Sequence, residues 1–157
     1  MDKETAGRIA RSLIEGNKYM VLSTCDSSAK PWAATVFYAH DRDYNFYFIS
    51  AIDTLHAKNI IENPNVAFVI FDSHTPIGRY DAVQASGVVE QLNRQDVPAA
   101  IDTYCRKLFS GTENPGARYD PMNYTEPAEF RIFRIRLEHI YTTSEERRTE
   151  ISPKDMG

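Results

Sequence analysis

Residues 45–71 read NFYFISAIDTLHAKNIIENPNVAFVIF. The β-formers Phe46, Tyr47, Phe48 and Ile49 predict a strand that ends on the hydroxyl of Ser50. Thr54 then stands at an N-cap position, and Leu55 to Ile61 continue as helix. Asn63 and Pro64 stop that helix, and Val66–Phe71 runs on as a second apolar strand. A strand that delivers hydroxyls and a cation to the first turn of a helix has the layout of an anion site. The unpaired N–H groups and the helix dipole both favour negative charge there. The stretch therefore predicts a phosphorylated cofactor at Ser50 and Thr54, with Lys58 on the helical face of Thr54. His56 points nearly the other way on a regular helix, unless the anion lies on the helix axis above the first turn.

Outward from this stretch the chain is mostly strands. Tyr19–Thr24 and Trp32–Ala39 are apolar runs separated by a polar turn, and residues 41–43 turn the second run back into Asn45–Ile49. Short polar links make an antiparallel meander the economical arrangement of these three. After the fourth strand, Asn65–Asp72, comes Ala82–Leu92, a long strand in which Gly87 predicts a bulge. In the last strand, Glu129–Thr143, apolar Phe133, Ile135 and Leu137 alternate with Arg134, Arg136 and Glu138. Phe130 and Ile132 fall in the opposite phase, so a bulge or a change of buried face is expected near Ile132.

Helices are expected over residues 3–15, with Ile9, Leu13 and Ile14 on one face, and from Asp96 to Phe109, with Ile101, Tyr104, Cys105 and Leu108 on one face. Residues 110–127 carry Gly111, Pro115, Gly116, Pro121 and Pro127 and read as an irregular loop, a candidate cover for a site. The charged, apolar-poor segment 144–157 reads as a frayed tail behind a single domain over residues 1–143. Six mostly antiparallel strands with peripheral helices make a mainly β protein. They fit a closed or partly closed barrel, because closure removes exposed edges.

At 157 residues, 42% hydrophobic and 25% charged, the chain can fold without disulfide or metal. A net charge of −4 argues against nucleic acid or an anionic membrane as partner. Cys25 and Cys105 lack metal-site spacing and read as free, buried thiols of a reducing compartment. The polar start lacks the apolar segment of a signal peptide, and no run reaches the ~18 apolar residues of a membrane span. A cytoplasmic location is expected.

The order LSTCDSSAKPWAATVFYA, NFYFIS, TLHAKNI ending in NP, VAFVIFD and VQASGVVEQL resembles the FMN-binding split-barrel family related to pyridoxamine 5′-phosphate oxidase. The likeness runs over residues 5–143 and rests on order and spacing, above all from Ser50 to Pro64. It implies a six-stranded antiparallel split β-barrel and a homodimer with FMN at the subunit interface, acting on a small molecule. By the same resemblance, the backbone of Ala34, Thr35, Val36 and Phe37 would meet the isoalloxazine ring. Ser50, Thr54 and His56, with Lys58 beside them, would hold the phosphate, and Gln84 would reach the flavin. Two departures stand out. Leu55 and His56 occupy positions where this family usually carries lysine or arginine. The C-terminal arginine and histidine with which true oxidases grip pyridoxal phosphate have no counterpart, so vitamin B6 oxidation is not expected.

An FMN-dependent oxidoreductase is the favoured reading. The alternatives are a non-catalytic flavin-, deazaflavin- or haem-binding module of the same fold, and a barrel that has lost its cofactor. The sequence offers no nucleophile–base pair, glycine-rich phosphate loop or metal-spaced cluster, so it nominates no catalytic side chain and no metal ligand. A flavoprotein needs none, because the cofactor carries the electron chemistry. The plainer roles are Thr54 as a simple cap, and His56 and Lys58 as solvated helix residues. Likewise Arg131, Arg134 and Arg136 would form a solvated strand face, with an anionic substrate site as the lesser alternative, and Trp32 the barrel wall or a subunit contact, with a place near the flavin as its alternative.

Overall fold

The computed structural model describes residues 1–78, 80–109, 116, 119–145 and 147–157. Its helices are α1 (Lys3–Gly16), α2 (Leu55–Glu62) and α3 (Val97–Phe109). The strands are β1 (Tyr19–Cys25), β2 (Pro31–Phe37), β3 (Ala39–His40), β4 (Phe46–Ala51), β5 (Asn65–Phe71), β6 (Ala82–Gln91), β7 (Phe130–Ser144) and β8 (Arg147–Ile151). They form one antiparallel sheet in the order β2-β1-β5-β6-β7-β4-β3, with β8 paired to β7. The fold is the expected mainly β, antiparallel split barrel with peripheral helices, with eight strands among the described residues rather than six.

The expected meander stops after two strands. β1 and β2 pair from Tyr19↔Phe37 to Cys25↔Pro31, but β4 pairs with β7 rather than β2. The cause is the length of β7. One edge carries β6, while the other edge takes β4 on its first half and β8 on its second. β2 is left as a free edge, and the barrel stays split there. The segment expected to fray is part of this arrangement. Arg147–Ile151 pairs with Ile140–Ser144, and a short turn at Pro153–Met156 follows, burying Ile151 and Met156.

Side-chain alternation builds two cores. Phe46 and Phe48 of β4 point into the main core with Phe133 and Ile135 of β7, Phe68 of β5, and Ala6, Ala10 and Ile14 of α1. Tyr47 of β4 and Ile132 of β7 point the other way, under Val97, Ala100, Ile101 and Cys105 of α3. The phase conflict near Ile132 is therefore two buried faces of one strand, not a bulge. The bulge lies where Ser86 opposes His139 and Gly87 opposes Leu137, which leaves Glu138 as the extra residue of β7. A Cβ at Gly87 would meet the Arg136 carbonyl oxygen at 2.2 Å, so only glycine fits there.

α1 buries Ala6, Gly7, Ala10 and Ile14, whereas Ile9 and Leu13, expected on its inner face, are half-buried. Small residues let the helix approach closely: a Cβ at Gly7 would lie 1.8 Å from the Asp155 carbonyl oxygen. Of the loop expected over 110–127, residues 110–115, 117 and 118 lie outside the described residues. Its proposed covering role falls there too. No described helix is long and apolar enough to cross a membrane.

Candidate functional site

The pleat that turns Phe46 and Phe48 inward turns Ser50 the same way, at the end of the barrel where α2 begins. Thr54 caps α2, accepting the Ala57 N–H at 3.4 Å and donating its own proton to the Ala51 carbonyl at 2.9 Å. Ser50 Oγ lies 3.0 Å from Thr54 Oγ1 and 2.7 Å from His56 Nε2, which is itself 3.3 Å from Thr54 Oγ1. Three of the four residues expected to hold a phosphate thus form one hydrogen-bonded cluster over the first turn of α2. His56 reaches it by folding back over the helix axis. Lys58 does not join: it is exposed and makes no side-chain bond or ion pair with a described residue.

Burial pushes the His56 imidazole below the ordinary histidine range, so near pH 7 it is neutral. Ser50 and His56 make a hydroxyl–imidazole pair that the sequence reading did not find. No described carboxylate orients the far ring nitrogen, and Ser50 is buried, so the pair lacks the third member of an acyl-transfer triad.

Arg131 is the residue that sequence reasoning misplaced. Rather than facing solvent, it is only 6% exposed and stands directly across the β4–β7 ladder from Ser50. Its Nη1 donates to the Ala128 and Phe130 carbonyls, and its Nε is buried without a partner. Arg134 is half-buried and Arg136 exposed, and both pair with Glu90, 2.6 Å and 2.9 Å away. A register signal was needed to separate the three arginines, and alternation alone does not carry it.

The other expected site residues lie on β2 and β6. Tyr38 N donates to Lys18 O and Asp26 N to Lys30 O, so the even-numbered residues of β2 make the bonds to β1. The backbone N–H and C=O groups of Ala33, Thr35 and Phe37 therefore face the free edge. Thr35 and Phe37 thus offer open backbone there, while the backbones of Ala34 and Val36 are bonded to β1 and the Val36 side chain is in the core. Gln84 is not brought to the α2 cluster. Through the register Thr35–Val21–Val69–Gln84 it lies on the outer face of the sheet, three strand spacings or roughly 14 Å from Thr35. That outer face exposes Tyr19, Phe71 and Val88, and a shallow cavity of about 220 Å³ opens on it beside Tyr19, Thr35 and Val69.

A wider cavity of about 1100 Å³ lies between α1, α3 and the turn after β3, lined by Arg11, Glu15, His40, Arg106 and Lys107. None of the expected cofactor residues lines it. Lys107 Nζ sits 3.5 Å from the centroid of the Tyr38 ring and donates to Ile14 O, and burial lowers its pKa to about 8.

The sequence pattern of the family described as pyridoxamine 5′-phosphate oxidase matches residues 8–144. A pyridoxine/pyridoxamine 5′-phosphate oxidase from Coxiella burnetii is 32% identical over 84 residues, 54% of this chain; the match spans only 41% of that relative's length. Among solved structures, a haem binding protein from Mycobacterium smegmatis superposes with a TM-score of 0.76 at 17% identity, over 96% of this chain and 59% of that one. An F420 reductase superposes with a TM-score of 0.59 at 22% identity, over 83% and 94%. Likeness at these identities speaks to the shared fold.

Proposed function

The chain belongs to the pyridoxamine 5′-phosphate oxidase family, and from that premise we propose that it is an FMN-binding flavoprotein and an oxidoreductase acting on a small molecule. The observation that carries this reading is the cluster of Ser50, Thr54 and His56 over the first turn of α2. The donor set fits a phosphate. Two hydroxyls and an imidazole lie within hydrogen-bonding distance of one another at a helix start, where unpaired N–H groups and the helix dipole favour negative charge. A flavin bound there would accept and return a hydride or single electrons.

The chain's own residues bind and orient. Ser50 offers its hydroxyl to a phosphate oxygen, Thr54 does so by turning its proton from the Ala51 carbonyl, and neutral His56 offers a hydrogen bond rather than a charge. The open N–H and C=O groups of Thr35 and Phe37 suit the polar edge of an isoalloxazine ring, which carries both acceptors and a donor. Gln84 and the apolar outer face with Tyr19, Phe71 and Val88 support a homodimer whose interface meets the cofactor. No side chain of the cluster is assigned as acid or base.

A second reading keeps the fold and the site but not turnover: a module that carries haem or a deazaflavin, motivated by the haem binding protein and the F420 reductase among the similar structures. The absorption spectrum of the purified protein separates these. An FMN spectrum that bleaches with reduced nicotinamide supports the oxidoreductase, and a Soret band supports the haem module. Added FMN whose fluorescence shows no saturable quenching would refute the flavin reading. Size-exclusion chromatography with light scattering tests the dimer, and a monomer at micromolar concentration would overturn it.

A further inference from the structure

The helix start described above carries little formal charge, because His56 is neutral and Lys58 is turned to solvent. A phosphate monoester carries about −1.5 to −2 at pH 7. A buried cation stands on the neighbouring strand. Residues directly opposed in an antiparallel ladder leave the same face with Cβ atoms about 5 Å apart, and Ser50 opposes Arg131. Arg131 is 94% removed from solvent, since 6% of its surface is exposed. Nη1 is held by the Ala128 and Phe130 carbonyls, Nε has no partner, and no described carboxylate pairs with the guanidinium. A cation this deeply buried is costly unless an anion neutralises it. The bonds at Nη1 anchor one side of the guanidinium. Nε–H and one Nη2–H lie along the other side as a fork matched to two oxygens of a phosphate.

We infer that Arg131 is the charged ligand of this anion site, replacing the basic residue that the start of α2 lacks, and that it makes the site select a phosphomonoester over a neutral group. The ligand's name rests on the flavin reading; the arginine's role is tested apart from it. Riboflavin carries the same ring as FMN without the phosphate, and inorganic phosphate carries the anion without the ring.

Wild type, Arg131→Gln and Arg131→Lys are titrated with FMN and riboflavin by fluorescence quenching, and with inorganic phosphate by thermal shift. A charge-assisted bond of the usual strength predicts that Arg131→Gln weakens FMN about 10- to 100-fold and leaves riboflavin unchanged. Arg131→Lys, which keeps the charge but loses the fork, should fall between. Phosphate should raise the Tm of the wild type and not that of Arg131→Gln. Arg131→Gln binding FMN as tightly as wild type would overturn the inference and leave the flavin reading standing. Equal weakening of FMN and riboflavin would overturn it as well, assigning the loss to the fold of the pocket. If wild type ignores FMN yet is stabilised by phosphate through Arg131, only the flavin reading fails. Indifference to both ligands sinks both. Should Arg131→Gln not fold, the FMN-to-riboflavin ratio of Arg131→Lys decides on the same terms.

Discussion

Replacing Thr54 by alanine removes one hydroxyl that serves α2 and the anion site together. Loss of an N-cap threonine typically costs about 1 kcal/mol, and the 3.4 Å bond to Ala57 N puts this one near the low end, about 0.5 kcal/mol. Losing the shorter bond to Ala51 O, in a half-buried setting, adds roughly 1 kcal/mol. The cofactor-free protein should therefore lose about 1.5 kcal/mol, which for a chain of this size lowers Tm by roughly 3–6 °C. Thr54→Ser keeps the oxygen and should recover most of the loss. Lys58→Ala, exposed and unbonded, should stay within about 0.5 kcal/mol. Thermal unfolding of the three variants without cofactor, followed by FMN titration, separates the two roles. FMN affinity should fall about tenfold in Thr54→Ala beyond what the stability loss explains. An unchanged Tm would refute the cap, and a lowered Tm with unchanged FMN affinity would reduce Thr54 to a cap alone.

In Gly7→Ala the new methyl would meet backbone rather than a movable side chain, so the turn at 153–156 must lift from α1. The expected cost is about 1–3 kcal/mol, with faster proteolysis after Ser152; wild-type Tm and cleavage would contradict the close approach. Burial holds both His40 and His56 below the ordinary histidine pKa of 6.5. The unfolded chain then binds protons that the native chain refuses. The histidine contribution to stability should be level above about pH 6.5 and fall as pH drops from there toward the folded values. Urea unfolding of the cofactor-free protein at pH 7.5, 6.0 and 5.0 checks this, and His56→Gln should remove part of the slope. An identical slope in that variant would place His56 in water.

The start of α2 was legible because its signals are local. Thr54, the hydroxyl at Ser50 and the stop at Asn63-Pro64 all act within a short run of chain, and capping chemistry has a fixed spacing. Even the fold-back of His56 was contained in the alternative that an anion lies on the helix axis. Arg131 was not legible, because its burial depends on which strand lies beside it. Only the pairing of β4 with β7 sets it against Ser50, from 81 residues further along the chain. β8 was hidden for a different reason. Arg147, Arg148 and Glu150 face solvent and Ile151 alone is buried, so the strand reads as a charged tail until β7 offers it an edge. α1 misled because its inner face is made of Ala6, Gly7 and Ala10, which contribute closeness rather than hydrophobicity.

Glu138, the unmatched residue of β7, divides that strand into two mechanical segments. The stretch before it carries β4, and with it Ser50, Arg131 and the floor of the α3 core. The stretch after it carries β8 and the turn on which α1 rests. A bulge is where a ladder yields first, since the extra residue is unpaired and the strand already bends. Opening on the early side would loosen β4, the anion cluster and both cores that Phe133 and Ile132 enter, while the β8 pairing and the turn beneath α1 lie beyond the bulge.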